Sequence, residues 1–293
     1  METEYLQSLV RVVRGGSIAA AARAQRISAG TVALRLKTLE AEFGGPLVTR
    51  SGRTVVATEL GARVVGEAQS LLRAVEDLRG LVTHDGMVGQ MRLGVIASAA
   101  TGLLAPTLDR FAAAQPVARI MVQRGVSSVL YSAVLNDDLD AAIIVEPEFR
   151  IPKSCGWQGL AVEKLILLTA ASLRVDDPHA ALESQPLIRY SRSQWGGGIA
   201  DDYLRRAGLE PRERYELDAL DSIATLVSRG LGVALVPEWA GLNRSGLPVV
   251  RHHLPIDGFE RRVGLVWSRS TIRARQVQSL AECAAAALFD LAG

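Results

Sequence analysis

Two groups of side chains in this 293-residue chain are of kinds that do chemistry, and both would do it by binding. The first is Ser28, Gly30, Thr31, Ala33, Leu34, Lys37 and Thr38, followed by two arginines, Arg50 and Arg53. Cations beside a small apolar surface suit nucleic acid. The cations meet phosphate, and the methyl-rich surface meets thymine methyl groups in the major groove. The second group is a set of hydroxyls placed just after apolar runs: Ser98 and Thr101, Ser127 and Ser128, Ser191, and Ser222 near a helix start. Hydroxyls and free N–H groups at the carboxyl ends of strands suit a small anion such as a carboxylate. Each serine alone would serve equally as a helix N-cap, and only the repetition favours a ligand site.

The first group requires a helix-turn-helix to present it. Residues 20–26 and 27–42 read as a short helix, a tight turn and a second helix, with Ser28 placed to cap the second. Val32, Leu36, Leu39 and Phe43 recur at spacings of 4, 3 and 4, one buried stripe. At ~100° per residue, Gly30, Leu34 and Lys37 fall opposite that stripe, flanked by Thr31, Ala33 and Thr38. Residues 43–53 and 55–58 read as a wing hairpin tipped by Arg50 and Arg53. A plain amphipathic helical hairpin would show the same stripe, but charge separates the two readings. Residues 1–58 carry eight Lys/Arg against four Asp/Glu, and the remaining 235 carry 25 against 27. The total of +2 therefore hides a basic head on a nearly neutral body, the footprint expected of a phosphate-binding domain.

Behind the head, residues 58–84 contain no proline, and Val64, Ala68, Leu71, Val75, Leu78 and Val82 alternate at spacings of 4 and 3. Such a heptad stripe predicts a long helix that pairs with a second copy. Residues 84–90, with two glycines and no period, mark a hinge. The expected domains are therefore 1–58 for DNA binding, 59–88 for the pairing helix and hinge, and 89–293 for a ligand-binding body. In that body, strands are expected at 91–96, 118–123 and 139–145, separated by helices near 102–114 and 127–136. Strands at 165–169, 186–190 and 232–237 form a second lobe, with helices near 199–207 and 220–229. A late strand at 263–267 returns the chain, and a helix over about 271–290 closes the first lobe. This alternation predicts parallel sheet covered by helices on both faces.

Catalytic chemistry has little support in the sequence. The four histidines lie in hinge or loop contexts, and His252 and His253 as strand neighbours point to opposite faces, so they cannot easily share a metal. Trp195-Gly196-Gly197-Gly198 lacks the leading strand of a phosphate cradle and reads as a turn. Cys155 and Cys283 form no CxxC motif and read as buried or bystander thiols. No enzyme activity, metal or cofactor is expected. No secretory pattern precedes the first helix and no apolar run nears the ~20 residues of a membrane span, so the expected location is the cytoplasm.

Gly16-Ser17, Ala21-Ala22, Ser28, Leu39-Glu40, Phe43-Gly44, Leu47, Arg50, Arg53 and Thr58-Glu59-Leu60-Gly61 resemble, in order and spacing, the winged helix-turn-helix of LysR-type transcriptional regulators. Leu139-Asp140-Ala141-Ala142-Ile143 and the run 230–237 resemble segments of that family's effector domain, so the likeness covers the whole chain. The chain departs from the family at Ala29, Ala33 and Leu34, where polar residues are usual, and at Gly30, where proline is frequent. The resemblance implies an α/β protein: a winged head, a linker helix and a two-lobed effector domain like that of periplasmic solute-binding proteins. It also implies double-stranded DNA and a small-molecule effector as partners, and the hydroxyls at the strand ends suit a small organic anion as that effector. Self-association would give a dimer or a homotetramer with four heads on a bent DNA site. The alternatives are a transporter's solute-binding protein with an atypical helical N-terminus, and an α/β enzyme. The basic head argues against the first and the missing catalytic constellation against the second.

Overall fold

A computed structural model describes residues 2–80 and 90–292, in two compact units, Met1–Gly89 and Gln90–Gly293. The first unit runs α1 (Thr3–Gly15), α2 (Ile18–Gln25), α3 (Ala29–Phe43), β1 (Val48–Ser51), β2 (Thr54–Ala57) and α4 (Glu59–Gly80). The α1–α2 corner is cut by Gly16 in the left-handed region (φ 64°) and by Ser17, whose hydroxyl accepts from the Ala20 N–H at 3.1 Å. Ser28 caps α3 in the same way through the Thr31 N–H at 3.0 Å. Leu6, Leu9, Val12, Ala21, Val32, Leu36, Leu39 and Leu47 close the core of the head.

Two sequence expectations need correction here. Phe43 belongs by spacing to the buried stripe of α3 but is 38% exposed. It is the last helical residue, and the chain turns away immediately through left-handed Gly44, so no core remains beneath it. The long stripe is also divided. Val64 and Ala68 are buried in the head's own core, whereas Leu71 is 44% exposed and Leu78 is exposed as well. A 3.5-residue repeat on a 3.6-residue helix drifts by ~20° per heptad, so the start of the stripe faces the head and its end faces away. Val82 lies outside the described residues. The described helix has 22 residues, ~33 Å at 1.5 Å each.

In the second unit, the first lobe holds β3 (Gln90–Val95), α5 (Ala97–Gly102), α6 (Leu104–Ala114), β4 (Arg119–Arg124), α7 (Ser127–Leu135) and β5 (Ala141–Val145). β6 (Cys155–Ala170) carries the chain into the second lobe, made of α8 (Pro178–Ser184), β7 (Leu187–Tyr190), α9 (Gly198–Ala207), β8 (Glu213–Leu217), α10 (Leu220–Ser228), β9 (Ala234–Pro237), α11 (Ala240–Arg244) and β10 (Val249–His253). β11 (Glu260–Ser268) returns to the first lobe, and α12 (Ala274–Ala292) packs there on α6. Among the described residues no helix is long and apolar enough to cross a membrane.

The sheet is mixed, not wholly parallel. β3 runs parallel to β4 and β5, but β11, β6 and β10 are antiparallel additions. The 16-residue β6 pairs with β11 over its first two-thirds and with β9 and β10 beyond, so both crossings are strands. Its first half escaped sequence reading because its side chains are mostly half-exposed and form no continuous apolar run. Each lobe keeps its own core, Leu93, Ile143, Leu265 and Leu280 in the first, and Ile188, Ile223 and Val236 in the second. The first is fastened by Asp140. Its carboxylate accepts from the Arg92 N–H (2.7 Å), the Thr271 hydroxyl (3.1 Å) and Arg273 Nη1 (3.1 Å), tying β3 and β5 to the approach to α12.

Candidate functional site

On the head, α3 presents Gly30, Ala33, Leu34 and Lys37 outward, with Leu34 at 66% exposure. Gly30, Ala33 and Leu34 thus form a small exposed apolar surface beside Lys37, of a kind that can meet thymine methyl groups in the major groove. Ser28 and Thr31 share a hydroxyl–hydroxyl hydrogen bond of 2.8 Å, and the Thr38 hydroxyl donates back to the Leu34 carbonyl at 3.0 Å. These three polar side chains are therefore already engaged with the helix. Arg35, one residue from Leu34, points the other way. It pairs with Glu4, donates toward Gln25 Oε1 and Ser8 Oγ, and lies 5.8 Å from the Tyr5 ring centre, clamping the head's three helices. Arg50 on β1 and Arg53 beyond left-handed Gly52 (φ 59°) are exposed on the hairpin.

In the second unit a cavity of about 350 Å³ opens between the lobes. Its walls are the carboxyl ends of strands, where an open α/β sheet leaves a crevice. Ser98 follows β3, Arg124 ends β4 and Gly125 to Ser127 follow it, Val145 ends β5, Tyr190 ends β7, and Asp218 follows β8. Of the hydroxyls singled out by sequence, Ser98 and Ser127 line it, and four others do not. Thr101 sits a turn further along α5, donates to the Ser98 carbonyl (3.2 Å) and lies against Gly241. Ser128 is exposed, because successive helical residues diverge by ~100° and only Ser127 can turn inward. Ser191 pairs with the Ser193 hydroxyl at 3.0 Å. Ser222 is the third residue of α10, which opens earlier, at Leu220, and it faces solvent.

Residues that sequence reading missed complete the walls: Arg124, Tyr190, Gln194, Trp195 and Asp218. The strand-end rule applied to every residue type, not only to hydroxyls, would have found Arg124 and Tyr190. Asp218 was hidden because β8, Glu-Arg-Tyr-Glu-Leu, has no apolar run. Trp195 reaches the cleft because the glycines after it make a tight turn. A Cβ on Gly197 would fall 1.9 Å from the Ser191 carbonyl. Trp195 packs edge-on against Tyr131 of α7 (5.9 Å) and Phe149 (5.7 Å), an aromatic contact between the lobes.

Beneath the cleft lies a buried ion pair. Arg261 of β11 donates through Nε to Glu163 of β6 at 2.6 Å, through Nη2 to Ser98 at 3.0 Å, and through Nη1 to Tyr190 at a longer 3.4 Å. Burial pushes the Glu163 carboxyl above the usual carboxylate range, and the adjacent guanidinium opposes that rise. Burial likewise raises the Tyr190 phenol, so it stays protonated at neutral pH. Cys155 and Cys283 are both free, and burial raises each thiol above its ordinary value.

A winged helix-turn-helix followed by a two-lobed, ligand-cleft body defines a class of one-chain regulators. Residues 3–62 match the model of the bacterial regulatory helix-turn-helix proteins of the lysR family, and residues 84–288 match the LysR substrate-binding domain. The chain belongs to the LysR family: it is a DNA-binding transcription regulator with an effector-binding domain, and not an enzyme. It is 29% identical to the transcriptional regulator IlvR of Caulobacter vibrioides, over 80% of this chain and 81% of that protein. Identity to the transcriptional activator IlvY of Salmonella typhimurium is 26%, over 81% and 83%. In fold it is similar to full-length CbnR solved with its target DNA, with a TM-score of 0.72 at 18% identity, covering 97% of this chain and all of the other.

Proposed function

We propose that residues 1–58 read an operator through the outer face of α3, with Arg50 and Arg53 on the backbone or minor groove. Residues 59–88 pair two subunits, and residues 89–293 respond to a small molecule held by Ser98, Ser127 and the facing wall of the second lobe. The regulator works in the cytoplasm as a tetramer, and ligand acts by favouring one lobe arrangement over another. The observation that carries the DNA-binding assignment is the exposed apolar face of α3 centred on Leu34. Leu34→Arg is expected to keep the fold, since that side chain is largely exposed, while changing which bases are preferred. Footprinting of parent and variant on the DNA upstream of the gene tests this. Identical base preferences would remove α3's outer face from the groove.

The pairing of subunits rests on Leu71 and Leu78, apolar side chains left uncovered on α4 beyond the head's core. Leu71→Asp would place a charge in that seam, where burying it without a partner is costly. Sedimentation is expected to show smaller oligomers with an unchanged melting profile for the head. An unaltered oligomer would place the contact elsewhere.

A further inference from the structure

The outward face of α3 meets a base with methyl groups where a forked polar side chain would otherwise stand. Of the longer polar residues on this helix, Arg35 is turned into the head, where it pairs with Glu4. Glu40 accepts from the Leu47 and Val48 N–H groups at 2.9 and 3.4 Å, and Glu42 stands two turns beyond Leu34. Ser28 and Thr31 are bonded to each other, and the Thr38 hydroxyl gives its proton to the Leu34 carbonyl. Among these, Ala33 and Leu34 project as bare hydrocarbon. Gly30, one turn before Leu34, adds no side chain that would hold the two away from a base.

We propose that, at the base pairs covered by Ala33 and Leu34, the regulator reads the 5-methyl group of a pyrimidine and not the identity of the pair. There 5-methylcytosine paired with guanine serves in place of thymine paired with adenine. This rests on the reading that the outer face of α3 enters the major groove. In that groove both pyrimidines carry the same methyl group on the same edge. Beside it each pair shows one amino donor and one carbonyl acceptor, in opposite order. A side chain that bonds to donor and acceptor, as asparagine does on adenine or arginine on guanine, tells the two pairs apart. Alanine and leucine bond to neither, so they bury the methyl and cover the same kinds of polar group in both pairs. Lys37, three residues further on, supplies a cation that phosphate accepts in any sequence. The consequence is a set of sites that grows when cytosine is methylated. A plain cytosine leaves Leu34 facing a bare C5 edge, and methylation supplies the missing contact.

The probes are synthetic duplexes of the upstream DNA that the full chain protects in a footprint, titrated by fluorescence anisotropy. Each protected thymine is replaced in turn by uracil, which removes the methyl group and keeps every hydrogen-bonding group. At a position covered by Leu34, uracil is expected to weaken binding about fourfold, the effect of one buried methyl group lost. Cytosine at the same position should weaken it at least as much. With 5-methylcytosine opposite guanine, affinity should return to within about twofold of the thymine duplex, half the size of the methyl effect or less. Leu34→Ala, which draws the side chain back from the groove, should shrink the uracil effect at that position to below about twofold and leave the other positions as in the parent. The base replacements leave the protein untouched and Leu34 is 66% exposed, so no arm depends on a perturbed head. Uracil equal to thymine at every protected position would overturn the inference. So would 5-methylcytosine binding as poorly as cytosine, or a uracil effect undiminished at every position in Leu34→Ala. Leu34→Arg separates the two levels. If it alters base preference while the parent ignores uracil, α3 lies in the groove and only the methyl reading falls. If it alters nothing, the outer face of α3 is off the bases and both readings fall.

Discussion

Arg50→Ala/Arg53→Ala should weaken DNA binding alike on every sequence and flatten its dependence on salt. Each phosphate neutralised by a side chain contributes about 0.9 to the slope of log affinity against log salt, so removing two contacts should lower the slope by about 2 per head. Both side chains are exposed on a two-stranded hairpin whose core contacts come from Val48, Val55 and Leu47. Their removal should leave the head's melting behaviour intact, so lost affinity would report lost contact. Titration of a labelled operator at several salt concentrations measures both quantities. A lowered affinity with an unchanged slope would mean that the arginines touch bases and not phosphate. With neither changed, the wing would be off the DNA.

Asp140→Ala should strongly destabilise the effector unit. The carboxylate is 4% exposed and serves two arginines, a threonine hydroxyl and a backbone N–H at once. Deleting it leaves Arg92 and the buried Arg273 short of their shared counter-charge, a change that costs about 3–5 kcal/mol. For a unit of this size, that corresponds to a fall of roughly 6–20 °C in Tm. Asp140→Asn keeps the shape and some of the hydrogen bonds, so its effect should be smaller. Calorimetric unfolding of the whole chain checks this, with the transition of the head as an internal control. If Asp140→Ala melts as the parent does, the network is ornamental and the joint between α12 and the sheet is held by apolar packing alone.

The two predictions differ in what made them visible. Arg50 and Arg53 stand out in the sequence because a hairpin wing is local: turn residues, the valines at 48, 55 and 56, and two cations lie within ten positions. The same is true of Ser28 as a cap and of the Val32, Leu36 and Leu39 stripe, since helix periodicity and capping are written in neighbours three and four residues apart. Asp140 gave no comparable signal, because its partners lie 48 and 133 residues away in the chain.

The cleft divides along the same line. Strand ends could be located wherever an apolar run preceded them, and this pointed to Ser98 and Ser127. It pointed equally to Thr101, Ser128, Ser191 and Ser222, because a run of sequence gives the place of a helix start but not the direction in which each of its side chains turns. The phase of α5, α7 and α10 against the opposite lobe decides that, and it depends on packing. The long strand β6 was hidden for a related reason. A strand that crosses between lobes is half-solvated along much of its length and loses the apolar pattern that marks a buried one. The sequence by itself therefore determined the order of parts, a basic winged head, a long helix and two α/β lobes, because periodicity and charge are local properties. Only the tertiary structure decided which hydroxyls face the cleft, and that Arg261 and Glu163, 98 residues apart, lie beneath it as one neutral pair. Side-chain direction and long-range ion pairing are set by how distant segments pack, which no local pattern encodes.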